Sequence, residues 1–373
     1  MSSHKTVVEH AGWRAEWFLA VSLATCVAFV LAGKTLMSAL ANPWVLAFVF
    51  LWLFGVILGS AMSVVRQAEH LAVLLGEPYG TLVLTLSVTF IEVMSISAVM
   101  LHGQNNPSLV RDTLIAVIMI ILNGMVGLSL LAGAWKHREQ HYNLQGANAY
   151  LGVIIPLAVL ALVLPNYTTT TVGPSLSHPQ EWALAFLTIG LYAVFLGVQT
   201  GRHRGYFTAI GHRENEIAPP HGGHPLWRHA VLLLAYMLPI ALLAEEMAHP
   251  IDYLIETLHV PDALGGVIIA VIVATPEAIG AMRAAIANQL QMSVNIFLGS
   301  VLSTIGLTIP IMLVIAHVSG RQIYLGVQNS SLVMLLLTLF LSAITFASGR
   351  TNVLQGAVHA LLFLAYLLLI FQN

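Results

Sequence analysis

Apolar runs of about 20 residues recur from one end of the chain to the other, and each can cross a bilayer core of roughly 30 Å. The gaps between the runs are rich in Pro, Gly, Asn and His, which favour loops. Of the 373 residues, 58% are hydrophobic and only 8% are charged, whereas a soluble domain carries roughly 25% charged residues. The sequence therefore predicts an all-α, polytopic membrane protein.

These runs predict eleven membrane-spanning helices. With the first helix set aside, five helices precede the longest gap and five follow it. Because five is an odd number, the two sets enter the membrane with opposite polarity, which predicts an inverted repeat with ion sites near the membrane midplane. The predicted spans are 15–33, 43–65, 75–101, 112–135, 147–165, 181–200, 229–247, 259–285, 290–318, 330–347 and 352–371.

The helix count divides the chain into four parts. They are an N-terminal segment with the first transmembrane helix (1–42), a first five-helix repeat (43–200), a linker (201–228) and a second five-helix repeat (229–373). Lysine and arginine favour the cytoplasmic side of a membrane, and eleven of the fourteen fall on the side of the N-terminus and the linker. We therefore expect both in the cytoplasm, with the C-terminus on the far side.

One carboxylate, Glu92, falls near the middle of the third span. Thr81, Thr85, Thr89 and Ser95 share its helix face, because steps of four, four, three and three keep side chains aligned. Carboxylates inside a membrane are rare, usually face a polar interior and mark functional sites. The pattern predicts that Glu92 and Thr89 bind a cation or a proton. The alternative is a structural carboxylate satisfied by the nearby hydroxyls.

A second intramembrane carboxylate, Glu277, lies at the matching place, on the second helix of the second half. Pro276 beside it has no N–H to donate and crowds the carbonyl of Ile272, four residues back. A freed carbonyl next to a carboxylate would provide two oxygen ligands for a hard cation. We expect a helix break here and metal binding by Glu92 and Glu277 together. An ordinary proline kink with a hydrogen-bonded glutamate is the alternative.

The helix after each acid carries further polar groups. Asn123 lies on the first of these helices, and Asn295, Ser300 and Ser303 lie on the second. Amide and hydroxyl oxygens coordinate cations or bond to a protonated carboxyl group, so Asn123, Ser300 and Ser303 are predicted to join the acids. Polar residues also hold membrane helices together, and that role stays open for each of them.

Other acids occur near helix ends and loops. Glu245 and Glu246 close the seventh span, and Asp252, Glu256 and Asp262 are expected on the far side. Acids there can attract cations to an entrance, although a solvated loop explains them equally well.

Several classes of function are disfavoured. The single cysteine, Cys26, supports neither an internal disulfide nor a zinc cluster. The net charge of −2 gives no indication of nucleic-acid binding. The sequence lacks the metalloprotease, nucleophile-elbow and phosphate-loop motifs of common enzymes. We expect no cofactor and no enzymatic activity, with inorganic cations, protons and the lipid bilayer as partners; the oligomeric state stays open.

At six motifs the chain resembles the calcium:cation antiporter superfamily, and within it the bacterial ChaA-type calcium/sodium–proton antiporters. Together they span nearly the whole chain from about residue 50. The motifs are Gly76–Gly80 (GEPYG), Ser87–Glu92 (SVTFIE), Arg111–Thr113 (RDT), Ala274–Glu277 (ATPE), Asn295–Ser303 (NIFLGSVLS) and Gly349–Gly356 (GRTNVLQG).

The resemblance implies one leading helix, two inverted five-helix repeats, and repeat acids, here Glu92 and Glu277, that alternate between proton and cation. Two departures remove amide oxygens. The family's serine and glutamine fall at Ser300 and Ser303, and Thr89 and Ala274 stand where many calcium–proton exchangers have asparagine. Sodium and potassium therefore stay open as substrates beside calcium.

The resulting hypothesis is a secondary active transporter that exchanges protons for Ca²⁺, Na⁺ or K⁺ by alternating access, in the bacterial inner membrane that the resemblance implies. A deprotonated pair of acids attracts a cation, and a protonated pair does not. Because a bare charged pair facing hydrocarbon is costly to move, the two halves would change orientation only when protons or a cation neutralise the acids. A cation channel is the main alternative, and an intramembrane enzyme is a more distant one.

Overall fold

The computed structural model describes residues 16–76, 79–102, 106–171, 173–208, 225–327 and 329–371. Outside it lie residues 1–15 of the predicted N-terminal segment, 77–78 of the GEPYG motif and 209–224 of the predicted linker. We call the membrane face nearest the linker the linker side and the opposite face the far side.

Eleven apolar helices account for most of the described residues. Ten of them are long and apolar enough to cross a membrane, and the tenth in chain order is shorter. This confirms the prediction of an all-α, multi-pass membrane protein with eleven helices. They are α1 (Trp17–Ser38), α2 (Pro43–Leu75), α3 (Tyr79–Leu101), α4 (Leu109–His137), α5 (Leu144–Asn166), α6 (His178–Arg202), α7 (Leu226–Thr257), α8 (Ala263–Ile286), α9 (Leu290–Ser319), α10 (Asn329–Thr345) and α11 (Val353–Ile370).

Helices α2 and α7 extend ten residues beyond the predicted ends at 65 and 247. Hydropathy ends a span at its first charged residues, but charged residues do not end a helix. In α2, Asn42 caps the first turn by accepting a hydrogen bond from the Trp44 backbone N–H (3.0 Å). The helix then continues to Gly76, whose φ of 65° is a conformation that glycine adopts readily.

Two helices contain a wide π-helical turn at a matching place in the two halves. The turn is Ile120–Met125 in α4 and Thr304–Thr308 in α9. Each belongs to the third helix of its five-helix set and directly follows an acid-bearing helix. Wide turns of this kind occur often at functional sites.

Helices from the two halves pack against each other throughout the fold. Helix α2 packs along α7, α3 along both α7 and α8, and α4 along α8. A short antiparallel pair, β1 (Gln140–His141) with β2 (Arg350–Thr351), joins the loop after α4 to the loop after α10. The acid-bearing helices α3 and α8 are therefore held together in the interior.

Glycines allow α4 and α11 to approach closely. A Cβ atom placed on Gly127 of α4 would lie 2.7 Å from the backbone nitrogen of Ala360. One placed on Gly356 of α11 would lie 2.8 Å from the backbone nitrogen of Leu131. Small residues at such contacts let two membrane helices pack backbone to backbone.

We predict that Gly127→Ala and Gly356→Ala each destabilise the protein by about 1–3 kcal/mol, because the added methyl group must push two backbones apart. The midpoint of thermal unfolding in detergent measures this. Gly152→Ala is the matched control, since a Cβ there would meet nothing within 4 Å. Equal midpoints for all three variants would show that the close approach contributes no stability.

Candidate functional site

The two predicted acids lie in different environments. Glu92 on α3 is 1% exposed, whereas Glu277 on α8 is only partly buried and lines a cavity. The two carboxylates are close enough to interact electrostatically. The structure therefore brings the intramembrane acids of the two halves together.

Two hydroxyl groups from the opposite half hold Glu92. Its Oε2 atom accepts hydrogen bonds from Thr308 Oγ1 (2.7 Å) and from Thr304 Oγ1 (3.1 Å). These threonines begin and end the wide turn of α9. Hydrogen bonds to a charged acceptor are stronger than those between neutral groups, so this turn fixes one oxygen of Glu92.

The same helix also contacts the second acid. The Ser300 hydroxyl donates to Glu277 Oε2, and Ser300 lies four residues before Thr304. At a rise of 1.5 Å per residue, the two positions are separated by about 6 Å along the helix. One turn of α9 thus spans the distance between the carboxylates of the two halves.

Three buried oxygens on α3 have no hydrogen-bond partner. They are Thr89 Oγ1, Glu92 Oε1 and Ser95 Oγ, and steps of three residues place them on one face of the helix. Buried polar atoms are almost always satisfied, so unpaired ones call for a water molecule, an ion or a functional reason. Carboxylate and hydroxyl oxygens suit a small hard cation or a water molecule.

A cavity of about 340 Å³ reaches Glu277 from the linker side. Ser300 and Ser303 line its inner part, and Glu69 and Arg204 line its part nearest the linker side. Glu92 is not among its lining residues. The structure therefore opens one acid to the linker side and keeps the other enclosed.

The remaining predicted residues on α9 lie beside the acids. Ser303 is buried, lines the cavity and donates to the Ser300 carbonyl oxygen (2.8 Å). Asn295 also lines the cavity and donates to the Phe207 carbonyl oxygen (2.7 Å). Ser303 thus supports the serine that bonds to Glu277, and its predicted part in cation binding stays a prediction.

Asn123 belongs to a separate polar cluster. Its Nδ2 atom donates to Thr338 Oγ1 (2.8 Å), and its Oδ1 atom lies 3.3 Å from His359 Nδ1. His359 is fully buried and also bonds to Thr345 Oγ1 (2.9 Å). These contacts join α4 to α10 and α11, so the structure places Asn123 in a helix-joining role; its binding role stays a prediction.

The expected helix break at Pro276 does not occur, because α8 remains helical from Ala263 to Ile286. Proline removes a single hydrogen bond, that of the Ile272 carbonyl group, and the tightly packed neighbours keep the helix path intact. Pro276 and Ile272 are both buried. Whether the Ile272 carbonyl oxygen serves as a ligand stays a prediction.

Sequence reasoning missed Thr304 and Thr308. A usable signal existed, since Ser300, Thr304 and Thr308 recur every four residues along α9. The predicted face of α9 rests on Asn295, Ser303 and their neighbouring glycines, and the two threonines lie on the stripe beside it. Among the described residues, no three His, Cys, Asp or Glu side chains group closely enough to hold a metal ion, so hydroxyls must complete any cation site.

The fold and this site agree with a known family. A family model described as "Sodium/calcium exchanger protein" matches residues 45–201 and again residues 228–372. The chain belongs to this family. The resemblance inferred from the six motifs is thereby confirmed.

Two relatives match almost the whole chain. A protein of Sinorhizobium fredii, provisionally named as the ionic transporter y4hA, is 41% identical over 359 residues, which is 95% of each chain. The sodium-potassium/proton antiporter ChaA of Escherichia coli is 40% identical over 334 residues, which is 88% of this chain and 90% of that protein.

Solved structures show the same exchanger fold. The Ca²⁺/H⁺ antiporter protein YfkE superposes with a TM-score of 0.72 at 18% identity, covering 96% of this chain and 100% of that one. The sodium-calcium exchanger NCX_Mj gives a TM-score of 0.55 at 17% identity, covering 87% of this chain and 98% of that one. At these identities the likeness concerns the fold alone.

We predict that Thr308→Val destabilises the protein by about 1–3 kcal/mol, because the buried Glu92 loses its shortest hydrogen bond. Thr308→Ser is the matched control, since it keeps the hydroxyl group. Thermal unfolding in detergent distinguishes the two. A valine variant as stable as the serine variant would show that the hydroxyl does not hold the carboxylate.

Proposed function

We propose that this protein is a secondary active transporter that exchanges protons for monovalent cations across the bacterial inner membrane. The contact of one turn of α9 with the acids of both halves is the observation that carries the proposal. Ser300 donates to Glu277, and Thr304 donates to Glu92. A proton or cation that binds one carboxylate therefore acts on the same turn of α9 that donates a hydrogen bond to the other carboxylate.

Competition for the two acids would couple the two fluxes. A proton and a cation each cancel carboxylate charge, and neither can occupy an oxygen that the other already holds. Moving an uncompensated carboxylate against hydrocarbon is costly. The two halves would then rearrange only when protons or a cation neutralise Glu92 and Glu277.

The one-sided cavity supports alternating access. Glu277 is reached from the linker side, while the buried Glu92 is enclosed. A transporter needs such a state, in which one face is open and the other is shut. A pore open to both faces would instead be expected of a channel.

The oxygens around the acids favour a monovalent cation over Ca²⁺, which takes six to eight oxygen ligands. The described contacts give Glu277 one hydroxyl group, from Ser300, and give Glu92 two, from Thr304 and Thr308. The name of the Escherichia coli relative, a sodium-potassium/proton antiporter, supports the same choice.

The proposed topology places the N-terminus and the linker in the cytoplasm and the C-terminus on the far side. The excess of lysine and arginine on the linker side supports it. The two family matches, 45–201 and 228–372, support repeats at 43–200 and 229–373. We further propose that the protein has no enzymatic activity, since its named relatives are transporters and antiporters.

We predict that Glu92→Gln and Glu277→Gln each abolish cation-driven proton movement while the protein stays folded, because glutamine is similar in size but cannot exchange a proton. Purified protein in liposomes with a fluorescent pH indicator gives the measurement. Glu139→Gln, at a side chain that is 53% exposed, is the matched control. A Glu92→Gln variant that exchanges at the normal rate would refute the proposed role.

We also predict that Na⁺ or K⁺ added to the same liposomes releases protons more effectively than Ca²⁺. The reason is the small set of hydroxyl and carboxylate ligands. Release by Ca²⁺ alone would overturn the monovalent assignment while leaving proton exchange intact. Cation current in a planar bilayer without proton movement would favour the channel.

A further inference from the structure

Two histidines meet at the end of α3 that lies opposite the cavity. His102 directly follows α3, and His249 lies on α7. His102 Nε2 lies 3.1 Å from His249 Nδ1, and the ring centroids are 4.0 Å apart. This contact joins the far end of α3 to α7, ten residues or about 15 Å along the helix from Glu92.

An arginine from another segment fixes the same point. Arg321, which follows α9, donates to the carbonyl oxygens of Leu101 (3.1 Å) and His102 (3.5 Å). The far end of α3 is thereby tied both to α7 and to the end of α9. Helix α3 carries Glu92, and α9 carries the two hydroxyl groups that donate to it.

Carboxylates on α7 surround the histidine pair. His102 interacts electrostatically with Asp252 and Glu246, and His249 interacts with Glu245. Glu256 lies close to Asp252. Helix α1 brings Gly33 up to the Glu246 carboxylate. Among the described residues, the charged groups near the pair include these four acids of α7 and Arg321.

One of these acids has an unused acceptor. Asp252 Oδ2 is buried and has no hydrogen-bond partner. A protonated His102 would need such an acceptor, because both of its ring nitrogens then donate. Asp252 is thus an alternative hydrogen-bond partner for the His102 ring, in addition to its present partner His249.

The histidine contact requires a neutral ring. A hydrogen bond between two imidazole nitrogens needs one donor and one acceptor, and a doubly protonated pair has no acceptor. Two positive rings at this distance also repel each other. A pair that has gained one proton keeps its hydrogen bond, because the neutral ring still accepts. The contact breaks only when protons from the far side charge both rings, which would then turn to the carboxylates.

We propose that His102 and His249 form the far-side gate of the transport path, which the neutral pair holds shut and which protons from the far side release. The gate rests on the proposed exchange of protons for cations and adds to it the residues, the face and the trigger of opening. The protons that enter from the far side for exchange would therefore also open the gate through which they pass.

The test measures access to α3 and does not need transport. Ser95→Cys, in a Cys26→Ala background, places a thiol between Glu92 and the far end of α3. In vesicles with the far side outward, a membrane-impermeant maleimide should label it about tenfold faster when both histidines are changed to alanine, because the gate no longer closes. Ser319→Cys, exposed at the far end of α9, controls for reagent and orientation.

Acidification of the far side provides the second measurement. Lowering the outside pH from about 8 to about 5, across the whole range in which histidine becomes charged, should raise the labelling of Ser95→Cys relative to Ser319→Cys. The His102→Gln/His249→Gln variant should lose this rise. Size-exclusion chromatography verifies that each variant is folded.

Two results would overturn the gate. One is equal labelling of Ser95→Cys with and without the histidines, and the other is an unchanged pH response in the glutamine variant. Neither result depends on exchange. Failure of the proposed function would instead appear as absent proton movement in the unmodified protein, whatever the labelling shows.

Discussion

The contact between α9 and the two acids is the constraint on which the rest of the structure depends. Glu92 and Glu277 come from helices of different halves, and each is held by a hydroxyl from one stretch of α9. A buried carboxylate is stable only with donors around it. Helices α3, α8 and α9 must therefore meet where these carboxylates lie.

Close backbone packing also joins helices beside this meeting point, since α4 packs along the acid-bearing α8. Gly127 and Gly356 let α4 and α11 approach each other directly. The Asn123–His359 cluster then ties the same pair of helices together with hydrogen bonds. Asn123 and His359 are hydrogen-bonded to Thr338 and Thr345, although Ser342 Oγ between these two threonines on α10 is unpaired. The acid-bearing face of α3 leaves three oxygens unpaired next to a carboxylate.

The sequence was sufficient to predict the membrane class, the eleven helices and the two acids. Hydropathy reports the length of an apolar run, and a lone carboxylate such as Glu92 stands out against it. Helix ends were less predictable, because α2 and α7 continue past their charged residues until a breaker or a turn ends them.

The partners of the acids were only partly predictable. Ser300 was expected at Glu277, but Thr304 and Thr308 were not expected at Glu92. Their part depends on how α9 crosses α3, which is set by packing between distant segments. The wide turn at Thr304–Thr308 also alters the regular spacing from which a helix face is inferred. Pro276 likewise suggested a break that the surrounding helices prevent.

The one-sided cavity has an electrical consequence. Water filling it would carry the potential of the linker side inward to Glu277, so the membrane voltage would fall over the remaining distance from Glu277 to the far side. Each net charge crossing that distance exchanges about 2.3 kcal/mol with the field per 100 mV. A swap of one monovalent ion for one proton moves no net charge and is indifferent to voltage, whereas any unequal swap is driven or opposed by it.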